Sequence, residues 1–201
     1  IGYLSLPQVG VGSLVGHEYL HPLYLFQGLG TVKYQGLTFT KEKFGTIIVY
    51  SYNYLVKTPD GRIMQRTLYI RNDPRYNNVS ITGNIAYPAG KKVYISINAT
   101  GLTECEDSMI SVASLSGFLA NSNLVVKAGT PDKKEAERNN QTYINCANYP
   151  DSDVISIKAA NETRITKSGN YCYTIEVYEC RILAAVEKFM VQSIIDAKGN
   201  S

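Results

Sequence analysis

Hydrophobic and polar positions alternate along most of this chain, and the alternation predicts strands. The clearest case is Thr46-Ile-Ile-Val-Tyr-Ser-Tyr-Asn-Tyr-Leu-Val56, where period-two spacing sets Ile48, Tyr50, Tyr52, Tyr54 and Val56 on one face. Thr58-Pro-Asp-Gly61 follows with Pro at the second turn position and Gly at the fourth, and residues 62–71 run back, so 46–71 predicts a hairpin. Upstream, residues 31–40 read as a strand interrupted by Gly36. Downstream, Val79, Ile81, Ile85 and Tyr87 mark one strand, and Pro88-Ala-Gly90 turns it into a second marked by Val93, Ile95, Ile97 and Ala99. Residues 124–126, 154–157 and 164–165 are shorter pieces. Residues 171–179 set Tyr171, Tyr173, Ile175 and Val177 opposite Cys172, Thr174, Glu176 and Tyr178. Three stretches break the alternation. Residues 108–120 fit a short helix or a strand, and 132–140, the most charged stretch, fits an exposed loop or one helical turn. Ile182, Leu183, Val186, Phe189, Met190 and Ile194 recur at helical spacing, although Phe189, Val191 and Ile195 also fit a last strand; a short C-terminal helix is the reading. Short strands every 8–12 residues or so, with Pro, Gly and Asn between them, predict an all-β fold, a β-sandwich of about ten strands.

The first sixteen residues stand apart. Ile1-Gly-Tyr-Leu-Ser-Leu-Pro-Gln-Val-Gly-Val-Gly-Ser-Leu-Val-Gly16 carries no ionisable side chain. Leu4 and Leu6 alternate, then Val9, Val11 and Val15 alternate in the other phase, with the slip at Pro7-Gln8. That pattern predicts an extended strand with a bulge or bend at the proline. The glycines exclude a membrane-spanning helix over this length. An apolar strand needs a sheet to bury it. It is either the first strand of its own domain or is donated to the sheet of a neighbouring copy. The expected division is therefore an N-terminal extended donor strand over 1–16 and a β-sandwich domain over 17–201. In the donor role Leu4, Leu6, Val9, Val11 and Leu14 fill pockets, while Gly10 and Gly12 admit the acceptor backbone.

Composition narrows the function classes. The chain has 201 residues, 18% charged, with a net charge of +3 that forms no basic run, so nucleic acid is excluded as a partner. Tyrosine dominates the aromatics, 16 against 5 Phe and no Trp, which suits half-buried sheet faces whose hydroxyls stay wet. A chain that begins at Ile1 rather than Met is expected to have lost an upstream segment, and no membrane span remains in it. Four sequons place acceptor asparagines at Asn78, Asn98, Asn140 and Asn161. The cysteines, Cys105, Cys146, Cys172 and Cys180, form an even set with no C-x-x-C pair. On one strand, Cys172 and Cys180 would lie about 26 Å apart, beyond the roughly 7 Å a disulfide allows, so each pairs with Cys105 or Cys146 in one order or the other. Together these features predict a secreted, disulfide-bonded protein carrying N-linked glycans.

One catalytic pattern needs weighing. His17-Glu18-Tyr19-Leu20-His21 matches H-E-x-x-H, which on a helix sets two imidazoles on one zinc with the glutamate placed to activate water. Pro22 directly after it would clash with the Glu18 carbonyl, and Gly10, Gly12 and Gly16 make a poor first turn. Glu42, flanked by Lys41 and Lys43, is a weak third ligand. In an extended segment the two histidines stand about 13 Å apart and share no metal. Asp151 with Asp153, or Glu104 with Glu106 and Asp107, form acidic clusters of the kind that holds Ca²⁺ from a loop, and more commonly face solvent. No catalytic residue, metal or cofactor is expected.

With its charge-free N-terminal strand, tyrosine-rich sandwich, dispersed sequons and disulfides, the chain resembles the thread and bundling-pilus subunits of archaea. The resemblance covers overall organisation, without a diagnostic motif. It implies an extracellular, cell-surface filament subunit whose partners are identical subunits joined head to tail, serving adhesion or biofilm formation. It carries only the donor role, onto residues 1–15. A secreted zinc peptidase and a monomeric adhesin or carbohydrate-binding module are the alternatives.

Overall fold

The computed structural model describes residues 26–87 and 92–199. The expected donor strand, the H-E-x-x-H stretch and the turn at 88–90 lie outside the described residues. The first four strands form an antiparallel meander: β1 (Phe26–Tyr34), β2 (Leu37–Phe44), β3 (Ile47–Lys57) and β4 (Ile63–Ile70). The hairpin predicted over 46–71 is β3–β4, in unbroken register from Tyr50↔Ile70 to Lys57↔Ile63. Gly36 does not interrupt a strand, as the alternation suggested. Gln35 (φ 43°) and Gly36 (φ 75°) are the two left-handed residues of a tight turn that folds 31–40 into two strands. One face of the meander is buried through Val32, Leu37, Phe39, Tyr50, Leu68 and Ile70.

The rest of the chain corrects the all-β expectation. It builds a mixed six-stranded sheet from β5 (Ser80–Thr82), β6 (Lys92–Ile97), β7 (Val125–Gly129), β8 (Asp153–Ala159), β9 (Arg164–Ser168) and β10 (Cys172–Val177), in the order β5-β9-β10-β8-β6-β7. β7, β6, β8 and β10 run parallel, and β10 meets β9 antiparallel. A parallel neighbour requires a crossover, and α1 (Ser108–Asn121) supplies it between β6 and β7. α2 (Lys133–Arg138) is the charged stretch, capped by Asp132, whose carboxylate accepts from the Lys134 and Glu135 amides. α3 (Ile182–Gly199) confirms the helical reading of the C-terminal end. The architecture is therefore α/β, and the β-sandwich assigned to 17–201 does not hold.

Helices α1 and α3 lie between the two sheets. Phe189 of α3 packs edge-on to Tyr173 of β10 at 5.6 Å, while the neighbouring Lys188 donates to the Tyr34 hydroxyl of β1 at 2.7 Å. Phe118 of α1 meets Tyr54 of β3 at 5.8 Å. With sheets on both sides, α3 buries most of its surface, including Glu187. The far face of the six-stranded sheet holds a smaller cluster of Tyr94, Ile144 and Val154, roofed by the loop over 139–152. Hence β6 buries Val93, Tyr94, Ile95 and Ser96 in succession, where alternation predicted one buried face. Gly129 lets that loop approach: a Cβ there would lie 2.1 Å from the Thr142 carbonyl oxygen. The strand expected from Val79 to Tyr87 shrinks to β5, and the Ile85 amide instead donates to Asp196 of α3 at 2.6 Å.

Candidate functional site: an open strand edge in an apolar groove

The sheet pairing of β3 changes side along its length. Thr58 donates its amide to the Arg62 carbonyl at 2.8 Å, which closes the β3–β4 hairpin. In an antiparallel ladder bonded pairs recur every second residue, so Val56, Tyr54 and Tyr52 exchange bonds with β4. Asn53, Leu55 and Lys57 therefore direct their amides and carbonyls to the opposite side. The Lys57 carbonyl confirms this direction by accepting from Asn123 Nδ2 at 3.1 Å. On that side β2 accompanies β3 only from Ile47 to Ser51, whose partner is Thr40. Beyond Ser51 the ladder with β2 is not continued, although Phe39 of β2 still meets Tyr52 of β3 at 5.5 Å. On that side neither Asn53 nor Leu55 has a paired residue in β2.

A groove of about 600 Å³ follows this edge. Residues 52–57 line it in an unbroken run, so both faces of the strand border it, as a groove along an edge requires. Its floor comes from Phe118 and Leu124 at the end of α1 and beyond it, Ile194 and Ala197 of α3, and Tyr87. Among the described residues the charged lining groups are Lys57 and Lys198, and no carboxylate lines it. Burial raises the phenol pKa of Tyr54, with Ser122 and the Arg66 charge opposing, and raises that of Tyr87 well above its ordinary value, with Ser193 opposing. Both rings are therefore neutral at physiological pH, and Tyr87 shares a hydrogen bond of 3.2 Å with Ser193 Oγ. Leu55 (69% exposed) and Ile63 (67% exposed) stand on the outer face of the same protruding hairpin. An open edge beside an apolar floor is chemically suited to an extended segment: main-chain bonds supply affinity and alternate side chains the selection.

The sequence-predicted residues are placed as follows. Leu4, Leu6, Val9, Gly10, Val11, Gly12 and Leu14, and likewise His17, Glu18 and His21, lie outside the described residues. Among the described residues no group of three or more His, Cys, Asp or Glu side chains could hold a metal ion. Asp153 is buried in the sheet rather than displayed on a loop, and Asp107 pairs with Arg71 at 3.1 Å. Cys105 pairs with Cys180 and Cys146 with Cys172, which resolves the order left open by spacing. The inference that Cys172 and Cys180 do not pair stands, although its premise of one strand does not. β10 ends at Val177, and Glu179 and Cys180 turn out of it with φ of 48° and 57°. Asn78, Asn140 and Asn161 are exposed and Asn98 is half-buried. Asn78 accepts from Arg181 at 2.6 Å, and Thr163 of the last sequon bonds to the Tyr178 amide at 2.9 Å. The groove itself was missed. The one signal for it was that the β3 pattern continues past the point where a partner on the β2 side runs out, and that mismatch is invisible without the register.

No protein-family model matches the chain, nor does any curated protein or solved structure. The two disulfides are compatible with a secreted protein, since such bonds persist in oxidising compartments. Among the described residues no helix is long and apolar enough to cross a membrane.

Proposed function

We propose that the protein is an extracellular structural subunit that assembles with copies of itself, by strand addition, into a cell-surface filament serving adhesion or biofilm formation. The observation that supports this reading is the groove along β3 beyond its last pairing with β2, lined among the described residues by no carboxylate. It is shaped for an extended apolar segment, and the chain contains one in its charge-free first sixteen residues. Two disulfides suit a subunit that works outside the cell. N-linked glycans at Asn78, Asn98, Asn140 and Asn161 belong to the same reading, with the exposed acceptors facing away from the core. Electron microscopy of the purified protein tests it. Filaments are expected from the full chain and none from a chain lacking residues 1–15. Val9→Asp is expected to abolish them, because it would bury an unpaired carboxylate, while Gln8→Asp should be tolerated. Normal polymers from the truncated chain, or equal tolerance of aspartate at both positions, would overturn the assignment.

A further inference from the structure

We propose that the groove along residues 52–57 of β3 is a binding site for one single-chain amphipathic anion, a free aliphatic carboxylate of the fatty-acid class, whose tail lies on the apolar floor and whose head group is held by Lys57 and Lys198. This goes beyond the assembly reading and rests on the groove's own chemistry; a bound ligand and an added strand would exclude each other there.

The groove has an aromatic end and a cationic end. Glu187 of α3 accepts from the Arg71 amide, next to Ile70, which pairs with Tyr50. Further along the helix, Met190 and Phe118 border a cleft with Leu68, the partner of Tyr52. α3 therefore advances along β3 in the direction from Tyr50 to Lys57. From Met190 to Lys198 the helix rises about 12 Å, and from Tyr52 to Lys57 the strand rises about 16 Å. Lys198 thus arrives at the Lys57 end, while Tyr52 and Phe118 stand at the other. Between them lie Leu124 and Ile194, and the volume of about 600 Å³ falls within the range of small-ligand pockets.

The charge at the cationic end is uncompensated. Two carboxylates adjoin these lysines in sequence, and both are engaged. Asp60, in the turn after β3, pairs with Arg62 at 2.6 Å. Asp196 accepts from the Ile85 amide at 2.6 Å and from Gln192 at 2.8 Å. Among the described residues neither Lys57 nor Lys198 pairs with a carboxylate. Arg66, the cross-strand partner of Tyr54, adds a third positive charge, and its buried Nε has no hydrogen-bond partner. An elongated apolar floor with charge of one sign at one end is complementary to an amphiphile of the opposite sign. The tail leaves water over the floor, and the head meets the lysines at the exposed rim without being stripped of solvent.

The test titrates sodium dodecanoate and dodecyltrimethylammonium, tails of matched length with opposite heads, into the full chain below their micelle concentrations and follows binding by calorimetry. Saturable binding of one dodecanoate per chain is expected, with the cation at least about tenfold weaker. Lys57→Glu combined with Lys198→Glu changes two exposed side chains, and is expected to weaken dodecanoate at least about tenfold while strengthening the cation. Ala197→Trp, at an exposed helix position lining the groove, should weaken both probes by filling it. No saturable dodecanoate binding, or binding that the charge reversal leaves unchanged, would overturn the inference. Attachment to vesicles of anionic phospholipid without binding of free dodecanoate would overturn it in favour of a membrane surface. Electron microscopy of the same samples separates this site from the assembly reading. Chains that bind dodecanoate as expected but never form filaments would support the site and remove that reading, and filaments from chains that bind no dodecanoate would do the reverse.

Discussion

Glu187 is the buried charge on which the seating of the meander over the helix layer most depends. It sits in the middle of α3, 2% exposed, and its carboxylate accepts from the Arg71 amide at 2.6 Å, the Asn72 amide at 2.9 Å and the Asn72 side chain at 2.7 Å. These donors are where the chain leaves β4, so one side chain ties the end of the meander to the central helix. Glu187→Ala would strand two main-chain donors, at about 1–1.5 kcal/mol each, and remove about two buried methylenes, at about 0.8 kcal/mol each. The expected loss is about 3–5 kcal/mol, a large part of the usual 5–15 kcal/mol of a domain. Glu187→Gln keeps one acceptor but turns an NH₂ toward another donor, for an expected loss of about 1–3 kcal/mol. The two variants also differ from wild type in pH dependence. Burial raises the Glu187 pKa above its ordinary 4.5, against the opposing pull of the Arg71 and Asn72 donors. A raised acid binds its proton more tightly when folded, so its contribution to stability is full below the unfolded value and declines as pH rises through the folded one. The advantage of wild type over Glu187→Gln should therefore shrink as pH climbs from about 4 toward neutrality. Urea unfolding of both proteins across that range measures it. A difference that is flat or grows with pH would refute the account of burial outweighing the donors, and a loss under about 0.5 kcal/mol would refute the structural role.

The two disulfides should contribute unequally. Loop-closure entropy assigns about 4.5 kcal/mol to Cys105–Cys180 and about 3.5 kcal/mol to Cys146–Cys172, from separations of 75 and 26 residues. Paired Cys→Ala variants unfolded in urea should follow that order, and the reverse order would show that native packing rather than chain entropy decides. Gly129→Ala should cost about 2–4 kcal/mol, since its Cβ would meet the Thr142 carbonyl at 2.1 Å and Ile144 Cδ1 at 2.8 Å. Limited proteolysis should then cut within 139–152, and an uncut, fully stable variant would show that this loop shifts freely.

What the sequence determined by itself is what short-range physics controls. Period-two spacing located β3, β6 and β10, because a strand covered on one face needs that spacing whatever its partner is. Thr58-Pro-Asp-Gly61 specified the β3–β4 turn through backbone dihedrals, and the 3.6-residue recurrence from Ile182 to Ile194 specified α3. The exclusion of a Cys172–Cys180 bond rested on one strand over 171–180, and since β10 ends at Val177 it is the tertiary structure that decides the pairing. The tertiary structure decided the rest, since alternation carries no information on which strand lies alongside or in which direction. β10 lies between β8 and β9, which the chain joins by a short turn, and that insertion makes the sheet mixed and the fold α/β. α1 carries no acidic residue in its first turn, no basic residue in its last and no side-chain cap bond, so its ends are unmarked in the sequence. The β6-to-β7 crossover and the two sheets around it make it a helix. The burial of Glu187 likewise depends on the end of β4, which supplies its donors. The edge of β3 past Ser51 depends in turn on β2 pairing with it only from Thr40 to Phe44, because what a backbone donor meets is settled only by what packs beside it.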